Sequence, residues 1–321
     1  MSSVESFASP LMWSGFIAFV LGMLAFDILM LGGRHAHKVT VREALGWSIA
    51  WVMLALLFSG LLWWYLDHSI GREFAQQKSL EFLSGYLIEK SLSVDNIFVF
   101  LVIFGYFGVP PEMQRRVLLY GVFGAIIMRA LMILFGAWLI AQFSWIMYLF
   151  GAFLLVTGIK MLIFADKESD LNNNPLLKFL RRHLRISNEY DGEKFFTLRN
   201  GVRYFTPLML VLILIEMTDL VFAVDSIPAI FAITTDPFIV FTSNMFAIMG
   251  LRALYFLLAD VADRFHYLKY GLALVLMFVG GKMLLADWFH IPVMISLLVV
   301  AGILTASMLV SLALSTKKPS S

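Results

Sequence analysis

EKSLSVDNIF, residues 89–98, places four charged or amide side chains inside a stretch that is otherwise almost wholly apolar. Glu89, Lys90, Asp95 and Asn96 fall within eight positions of one another. The whole chain is 60% hydrophobic and only 14% charged, whereas about a quarter of the residues in soluble domains are charged. We therefore predict an all-α, many-pass membrane protein in which these polar groups face the inside of a helix bundle.

Apolar windows near the roughly 20 residues needed to cross a bilayer recur along the chain. They predict about nine transmembrane helices, at 12–32, 44–66, 80–107, 117–140, 145–164, 204–232, 239–259, 268–286 and 292–314. The forty or so residues at 165–203 are polar and are predicted to form a cytoplasmic loop with short amphipathic helices. The predicted parts are two N-terminal helices (12–66), three helices (80–164), the loop, three more helices (204–286) and a last helix (292–314).

The basic residues predict an orientation for this bundle. With the N-terminus outside, seventeen lysines and arginines fall in inner segments, against only Arg72 and Lys78 outside. Basic residues concentrate on the cytoplasmic side of membrane proteins. The prediction is N-out and C-in, and it holds when the long loop is left out of the count.

The polar stretch has a counterpart later in the chain. DLVFAVDSI, which begins at Asp219, repeats its pattern of an acid followed six residues later by Asp, a small polar residue and Ile. IIMRALMIL around Arg129 is similar to MGLRALYFL around Arg252, and GIKMLI around Lys160 is similar to GGKMLL around Lys282. Three matches in the same order indicate an internal repeat. Because each copy has three helices, the copies are predicted to be inverted in the membrane, with a site near the midplane.

The residues of the two stretches form an oxygen-rich set of candidate ligands. On a helix, Glu89, Ser93 and Asn96 share one face, while Asp95 and Asp225 lie about 240° round from the first acid of their copy. They align with that acid only if the helix unwinds or if neighbouring helices close around them. The predicted metal ligands are Glu89, Asp95, Asn96, Glu216, Asp219 and Asp225. Such oxygen donors suit manganese, magnesium or calcium; manganese is a natural choice for a site rich in carboxylates, but composition alone does not separate the three.

Several other intramembrane residues have more ordinary interpretations. The predicted charge-balancing residues neutralise the acids without touching a substrate, and they are Lys90, Arg129, Lys160, Arg252 and Lys282. Asp27 near the inner end of the first helix is either an interfacial cap or hinge, or an ion ligand. Further accessory positions are Ser93, Ser226 and Asn244. Pro228, just past the second acidic stretch, could free carbonyls for a cation by breaking its helix.

Other functions are disfavoured by what the sequence lacks. It contains no cysteine, which excludes disulfides and thiol chemistry. There is no P-loop, nucleotide fingerprint or catalytic triad, so we expect a protein that is not an enzyme and is driven by ion gradients. We expect no permanently bound cofactor and no nucleic-acid partner. The expected partners are the lipid bilayer and a transported ion.

Two long segments resemble a known family. EKSLSVDNIFVF and EMTDLVFAVDSIPAIFAITTDPFIVFTSNMFAIMGLRALYFLL are similar to the TerC family of bacterial membrane proteins, and length and loop pattern favour its Alx branch. The resemblance implies export of Mn²⁺, an older link to tellurium resistance, and a place in the bacterial inner membrane. It also implies a functional role for the acids and for Asn96. The hypothesis is a proton-coupled Mn²⁺ exporter, and its rival is a scaffold for a metal or tellurite stress-resistance complex.

Overall fold

A computed structural model of the chain describes residues 6–31, 40–143, 145–163, 175–187, 189–199, 201–259, 268–285, 288–289 and 291–315. This part of the chain folds into eleven helices and one β-hairpin. The helices are α1 Pro10–Leu31, α2 Val41–Ser69, α3 Arg72–Phe107, α4 Pro111–Gln142, α5 Ile146–Ile163, α6 Pro175–His183, α7 Pro207–Phe231, α8 Pro237–Met249, α9 Leu251–Ala259, α10 Leu268–Leu284 and α11 Val293–Ser315.

The helix lengths and apolar surfaces confirm a helical protein that crosses the membrane several times. Six helical segments in the described part are long and apolar enough to span a bilayer, and one of them comprises α8 together with α9. Large apolar side chains are exposed on their outer faces, as Leu131, Leu134 and Phe135 are on α4. Such side chains would face lipid in a bilayer. The described part of α1 adds a shorter apolar helix, Pro10–Phe26.

The helix ends depart from the predicted windows where polar turns extend an apolar core. α3 begins at Arg72, eight residues before its window, because REFAQQKS is polar yet contains no helix breaker. α4 begins at Pro111, where proline suits the first helical position. The window at 239–259 is interrupted at Gly250, which separates α8 from α9.

The 165–203 segment contains a β-hairpin that the sequence analysis predicted as loop. β1 (Phe196–Arg199) pairs antiparallel with β2 (Val202–Phe205), and Gly201 between them has φ +77. The helix predicted from residue 204 therefore begins only at Pro207, since residues 204 and 205 belong to β2. The hairpin is tied to the bundle by Tyr190, whose hydroxyl donates to the Phe107 carbonyl over 2.8 Å.

The bundle has α3, α4, α7 and α8 at its centre. α8 is the most enclosed of these helices, with Phe238–Val240 and Thr242–Met249 buried. The remaining helices flank this group, α1 and α2 on one side and α5, α10 and α11 on another. Polar side chains on the four central helices are therefore held away from lipid.

α5 and α10 approach so closely that glycine is required at their contact. A Cβ built on Gly280 would lie 2.7 Å from the Gly151 carbonyl oxygen, and one on Gly158 would lie 2.8 Å from the Ala273 carbonyl oxygen. Small residues allow membrane helices to pack backbone against backbone in this way. This contact, the α5–α10 seam, joins the last helices of the two predicted repeats.

Candidate functional site

Four helices bring five polar side chains to one buried point. α3 contributes Glu89 and Asn96, α4 contributes Arg129, α7 contributes Asp219 and α8 contributes Asn244. All five are shielded almost completely, with exposed fractions between 0% and 2%. We call this group the central polar cluster. Burying charge at this depth is tolerable only where the charges are paired.

Arg129 is the hub of the central polar cluster. Its Nη2 and Nε donate to the two Asp219 carboxylate oxygens over 2.9 and 3.3 Å. Its Nη1 donates to Glu89 and, over 3.2 Å, to the Asn244 side-chain oxygen. The planar guanidinium thus forms a two-point contact with one acid while reaching the other, a geometry that lysine cannot reproduce.

The two asparagines complete the hydrogen bonding of the acids. Asn244 Nδ2 donates to Glu89 Oε2 over 3.2 Å, and Asn96 Nδ2 donates to Asp219 Oδ1 over 3.3 Å. Each of the four carboxylate oxygens therefore accepts at least one hydrogen bond. Asn96 Oδ1 has no hydrogen-bond partner among the described residues, so one buried oxygen remains available at the cluster.

The shared face predicted for α3 is confirmed. Glu89, Ser93 and Asn96 are all buried, at 0%, 1% and 1% exposure.

Helix α7 runs without a break from Asp219 through Asp225 and past Pro228, which lies in its last turn. The unwinding that would align Asp219 with Asp225 is not present in this structure, and the two acids stay on different faces of α7.

Asp225 is therefore separated from the central polar cluster, whereas Glu216 lies near enough to Asp219 for their charges to interact. Glu216 is half-buried on α7 and lies against Gly124 of α4, where a Cβ would overlap its carboxylate. Asp225 is half-buried on the α5 side, where Thr157 hydrogen-bonds to it and Lys160 attracts it. No group of three acidic or histidine side chains within the described residues is arranged to hold a metal.

The other predicted charge-balancing residues have separate surroundings. Lys90 turns away from Glu89 and donates over 3.4 Å to the Ala247 carbonyl, with its Nζ close to Gly250 at the α8–α9 break. Arg252 is buried in α9 at 8% exposure. Of the predicted cations that the structure describes, Arg129 is thus the one joined to both Glu89 and Asp219.

Glu81 is a buried acid that the sequence analysis missed. It is 3% exposed and accepts hydrogen bonds from Gln77 over 2.9 Å and from Lys78 over 2.7 Å. Lys282 of α10 lies near enough to attract it. The available signal was its position just inside the window at 80–107, eight residues before Glu89.

Three predicted positions need a separate statement. The side chains of Asp27 and Asp95 lie outside the described part of the structure, although their backbones belong to α1 and α3. Ser226 is buried at 1% exposure, and its hydroxyl has no partner among the described residues.

A comparison with protein families identifies the family of this chain. The model of the integral membrane protein TerC family matches residues 74–319, from the start of α3 into the end of the chain. The chain belongs to the TerC family. The TerC match includes every member of the central polar cluster.

Relatives in the TerC family extend the match to nearly the whole chain. It is 56% identical over 308 residues to proteins of Escherichia coli K12 and Salmonella typhi named "Putative membrane-bound redox modulator Alx", with 96% of each chain covered. It is 48% identical to the membrane protein STKORF319 of Myxococcus xanthus over 100% of this chain and 98% of that one. No solved structure matches this TerC protein.

Proposed function

We propose that this TerC protein is a secondary transporter, not an enzyme, that exports Mn²⁺ from the cytoplasm of a bacterium across its inner membrane. The observation that carries the proposal is the meeting of Glu89 and Asp219, from two different helices, at one buried point of a membrane-spanning bundle. Charged residues at such depth mark ion pathways in membrane proteins. Two carboxylates with amide oxygens beside them are oxygen ligands of the kind that coordinates Mn²⁺.

The proposal includes the nine spans, the N-out orientation and the inverted repeat. Under these, Glu89 lies on the third predicted span and Asp219 on the sixth, one in each copy. A site between the copies is where alternating access would open it first to one side and then to the other. Glu216, Asp225 and Asp95 would then be further ligands or proton carriers along the route, with protons moving against the metal.

Flux through the purified protein is the direct test. Proteoliposomes loaded with Mn²⁺, Ca²⁺ or Mg²⁺ at set pH gradients give the ion preference and the coupling. We expect Glu89→Gln and Asp219→Asn to lower Mn²⁺ flux by roughly 10–100-fold, the scale at which changes around metal sites act. Glu193→Gln is the matched control, because Glu193 also pairs with an arginine, Arg116, but at the surface.

Full flux in both site variants, measured on folded protein, would place the ion pathway elsewhere. Asp95→Asn and Asp225→Asn extend the same experiment to the acids outside the central polar cluster. If these two variants keep full export of cellular manganese, measured by elemental analysis, they do not belong to the pathway.

A scaffold is the second candidate, and the 165–203 segment favours it. α6 exposes Arg181 and Arg182 while its Leu177 and Leu180 are buried in the bundle. A basic surface held on a folded support suits the docking of an acidic partner protein. Deletion of the 165–203 segment would also remove the buried leucines and could unfold the bundle. The sharper variant is therefore the double charge reversal Arg181→Glu and Arg182→Glu, which changes only the exposed basic surface. Loss of metal or tellurite resistance with intact Mn²⁺ flux would favour the scaffold.

The name of the Alx relatives refers to redox modulation. With no cysteine in this chain, such a role here would have to act without thiols. Export of a redox-active metal ion is one route that needs no residue of that kind. The flux experiment therefore also decides whether a redox effect needs a separate explanation.

A further inference from the structure

The central polar cluster contains its own cation, and that cation lies between the two acids to which the proposed function assigns the substrate ion. Arg129 is 1% exposed and its guanidinium lies between the carboxylates of Glu89 and Asp219. It donates to three of their four oxygens, and the asparagines Asn244 and Asn96 donate to Glu89 Oε2 and, again, Asp219 Oδ1. A metal ion that used both acids would have to displace the guanidinium from them.

Electrostatics makes the two cations alternatives. A guanidinium and a divalent ion on the same carboxylates would repel each other in a medium of low dielectric constant. If both were absent, two carboxylates would remain buried without compensation, which is a strongly unfavourable state. Unless the two acids are protonated, one cation must therefore be present at Glu89 and Asp219.

We propose that Arg129 is a tethered counter-cation that takes the place of the metal ion in the empty transporter. With the metal bound, the guanidinium leaves the carboxylates; after release it returns to them. The empty protein can then change its accessible side with its acids still paired, so that transport is net export and not obligatory exchange of one metal ion for another.

The inference rests on the proposed function, and it makes a separate claim about one half of the transport cycle. Exchange of Mn²⁺ inside for Mn²⁺ outside uses only the metal-loaded form, whereas net flux also needs the empty form to return. Removal of the tethered charge should therefore stop net flux and spare exchange. Loss of an ordinary metal ligand would lower both.

The test compares the two modes in proteoliposomes whose membrane potential is clamped with potassium and valinomycin. Net flux is measured as release of Mn²⁺ from loaded liposomes into metal-free buffer. Exchange is measured as uptake of radioactive Mn²⁺ into liposomes that contain unlabelled Mn²⁺. For Arg129→Gln we expect net flux to fall about a hundredfold, since the acids lose the partner that compensates them, while exchange stays within about threefold. Binding of Mn²⁺ in detergent, followed by electron paramagnetic resonance, should become tighter because no tethered cation competes.

Arg129→Lys is the matched variant, because it keeps the charge and loses only the planar fork. We expect its ratio of net flux to exchange to lie between those of wild type and Arg129→Gln. The inference is overturned if Arg129→Gln loses both modes to the same extent or keeps both. Should Arg129→Gln not fold, an Arg129→Lys protein that loses net flux and exchange to the same extent would overturn it equally. Absence of any wild-type flux would instead refute the proposed function itself, and the inference with it.

Discussion

Gly124 on α4 and Glu216 on α7 are in direct contact: the Glu216 carboxylate lies against the backbone of Gly124. The contact explains why this position of α4 carries no side chain. It also holds a half-buried acid at a fixed place next to the central polar cluster.

Gly124→Ala should displace that carboxylate, because the new Cβ would overlap it. We expect lower Mn²⁺ flux in proteoliposomes with little change in thermal stability, since the Glu216 side chain can turn away. Gly121→Ala is the control on the same helix: its Cβ would meet Ile215 at 3.4 Å, an ordinary contact. Equal flux in the two variants would show that the position of Glu216 does not matter for transport.

Asn244→Ala should destabilise the protein. It removes the hydrogen bond to Glu89 and the acceptor for Arg129, and a charged group that loses a buried partner costs about 1–3 kcal/mol. The measurement is the thermal unfolding midpoint in detergent. Thr242→Val on the same buried helix serves for comparison, since the Thr242 hydroxyl bonds only within α8, to the Phe238 and Ile239 carbonyls. The prediction fails if both variants have the same thermal unfolding midpoint as the wild type.

Substitution by alanine should have opposite effects on stability at two adjacent glycines of α10, Gly280 in the α5–α10 seam and Gly281 beside it. Gly280→Ala would bring a Cβ to 2.7 Å from backbone atoms of Gly151 and Leu155, whereas a Cβ on Gly281 meets nothing within 4 Å. Overpacking of this kind costs about 1–3 kcal/mol, while Ala in place of Gly in an open helical position gains up to about 1 kcal/mol. Thermal midpoints in detergent should therefore fall for Gly280→Ala and hold or rise for Gly281→Ala. The reverse order would contradict the close approach of the two helices.

Asp191, ahead of the hairpin, should make the local stability depend on pH. Hydrogen bonds from Thr197 (2.9 Å) and from Lys194 lower the pKa of its carboxyl below the ordinary 3.8. A lowered pKa in the folded state gives stability that is present above the unfolded pKa and is lost as pH falls through the folded one. The hairpin should therefore loosen only in acid, below about the ordinary pKa of aspartate.

Thr197→Val removes the larger of these two contributions. The pKa of Asp191 should then rise toward its ordinary value, which a carbon-13 NMR titration of labelled aspartate in nanodiscs would detect. Ser187→Ala is the control, because the Ser187 hydroxyl bonds to the Glu189 carbonyl and does not reach Asp191. A titration midpoint for Asp191 that is the same in all three proteins would exclude Thr197 as the cause.

The sequence predicted the membrane class and the positions of the helices well, because each span is decided by a local run of apolar residues. The errors lie where local composition and fold diverge. The first two turns of α3 are polar but helical, and the hairpin at Phe196–Phe205 has strands too short for their alternation to be recognised.

The sequence analysis names all five members of the central polar cluster, among other residues, but not the contacts between them. The face shared by Glu89 and Asn96 follows from helical periodicity alone, and it is confirmed. That Arg129 joins Glu89 to Asp219, and that Lys90 turns away to α8, depends on which helices are neighbours. Periodicity within one helix carries no information about its neighbours, so these contacts required the structure.

The α5–α10 seam has a mechanical consequence. The backbones of α5 and α10 are so close at Gly151 and Gly280 that one helix cannot slide freely past the other, and the two should move as one unit. α7 is joined to this pair of helices by the hydrogen bond from Thr157 to Asp225, and to the central helix α4 by the ion pair of Asp219 with Arg129. Exchange of the partner at Asp219, in the middle of α7, would thus change the connection of α7 to α4 while Asp225, six residues further along, keeps α7 joined to α5.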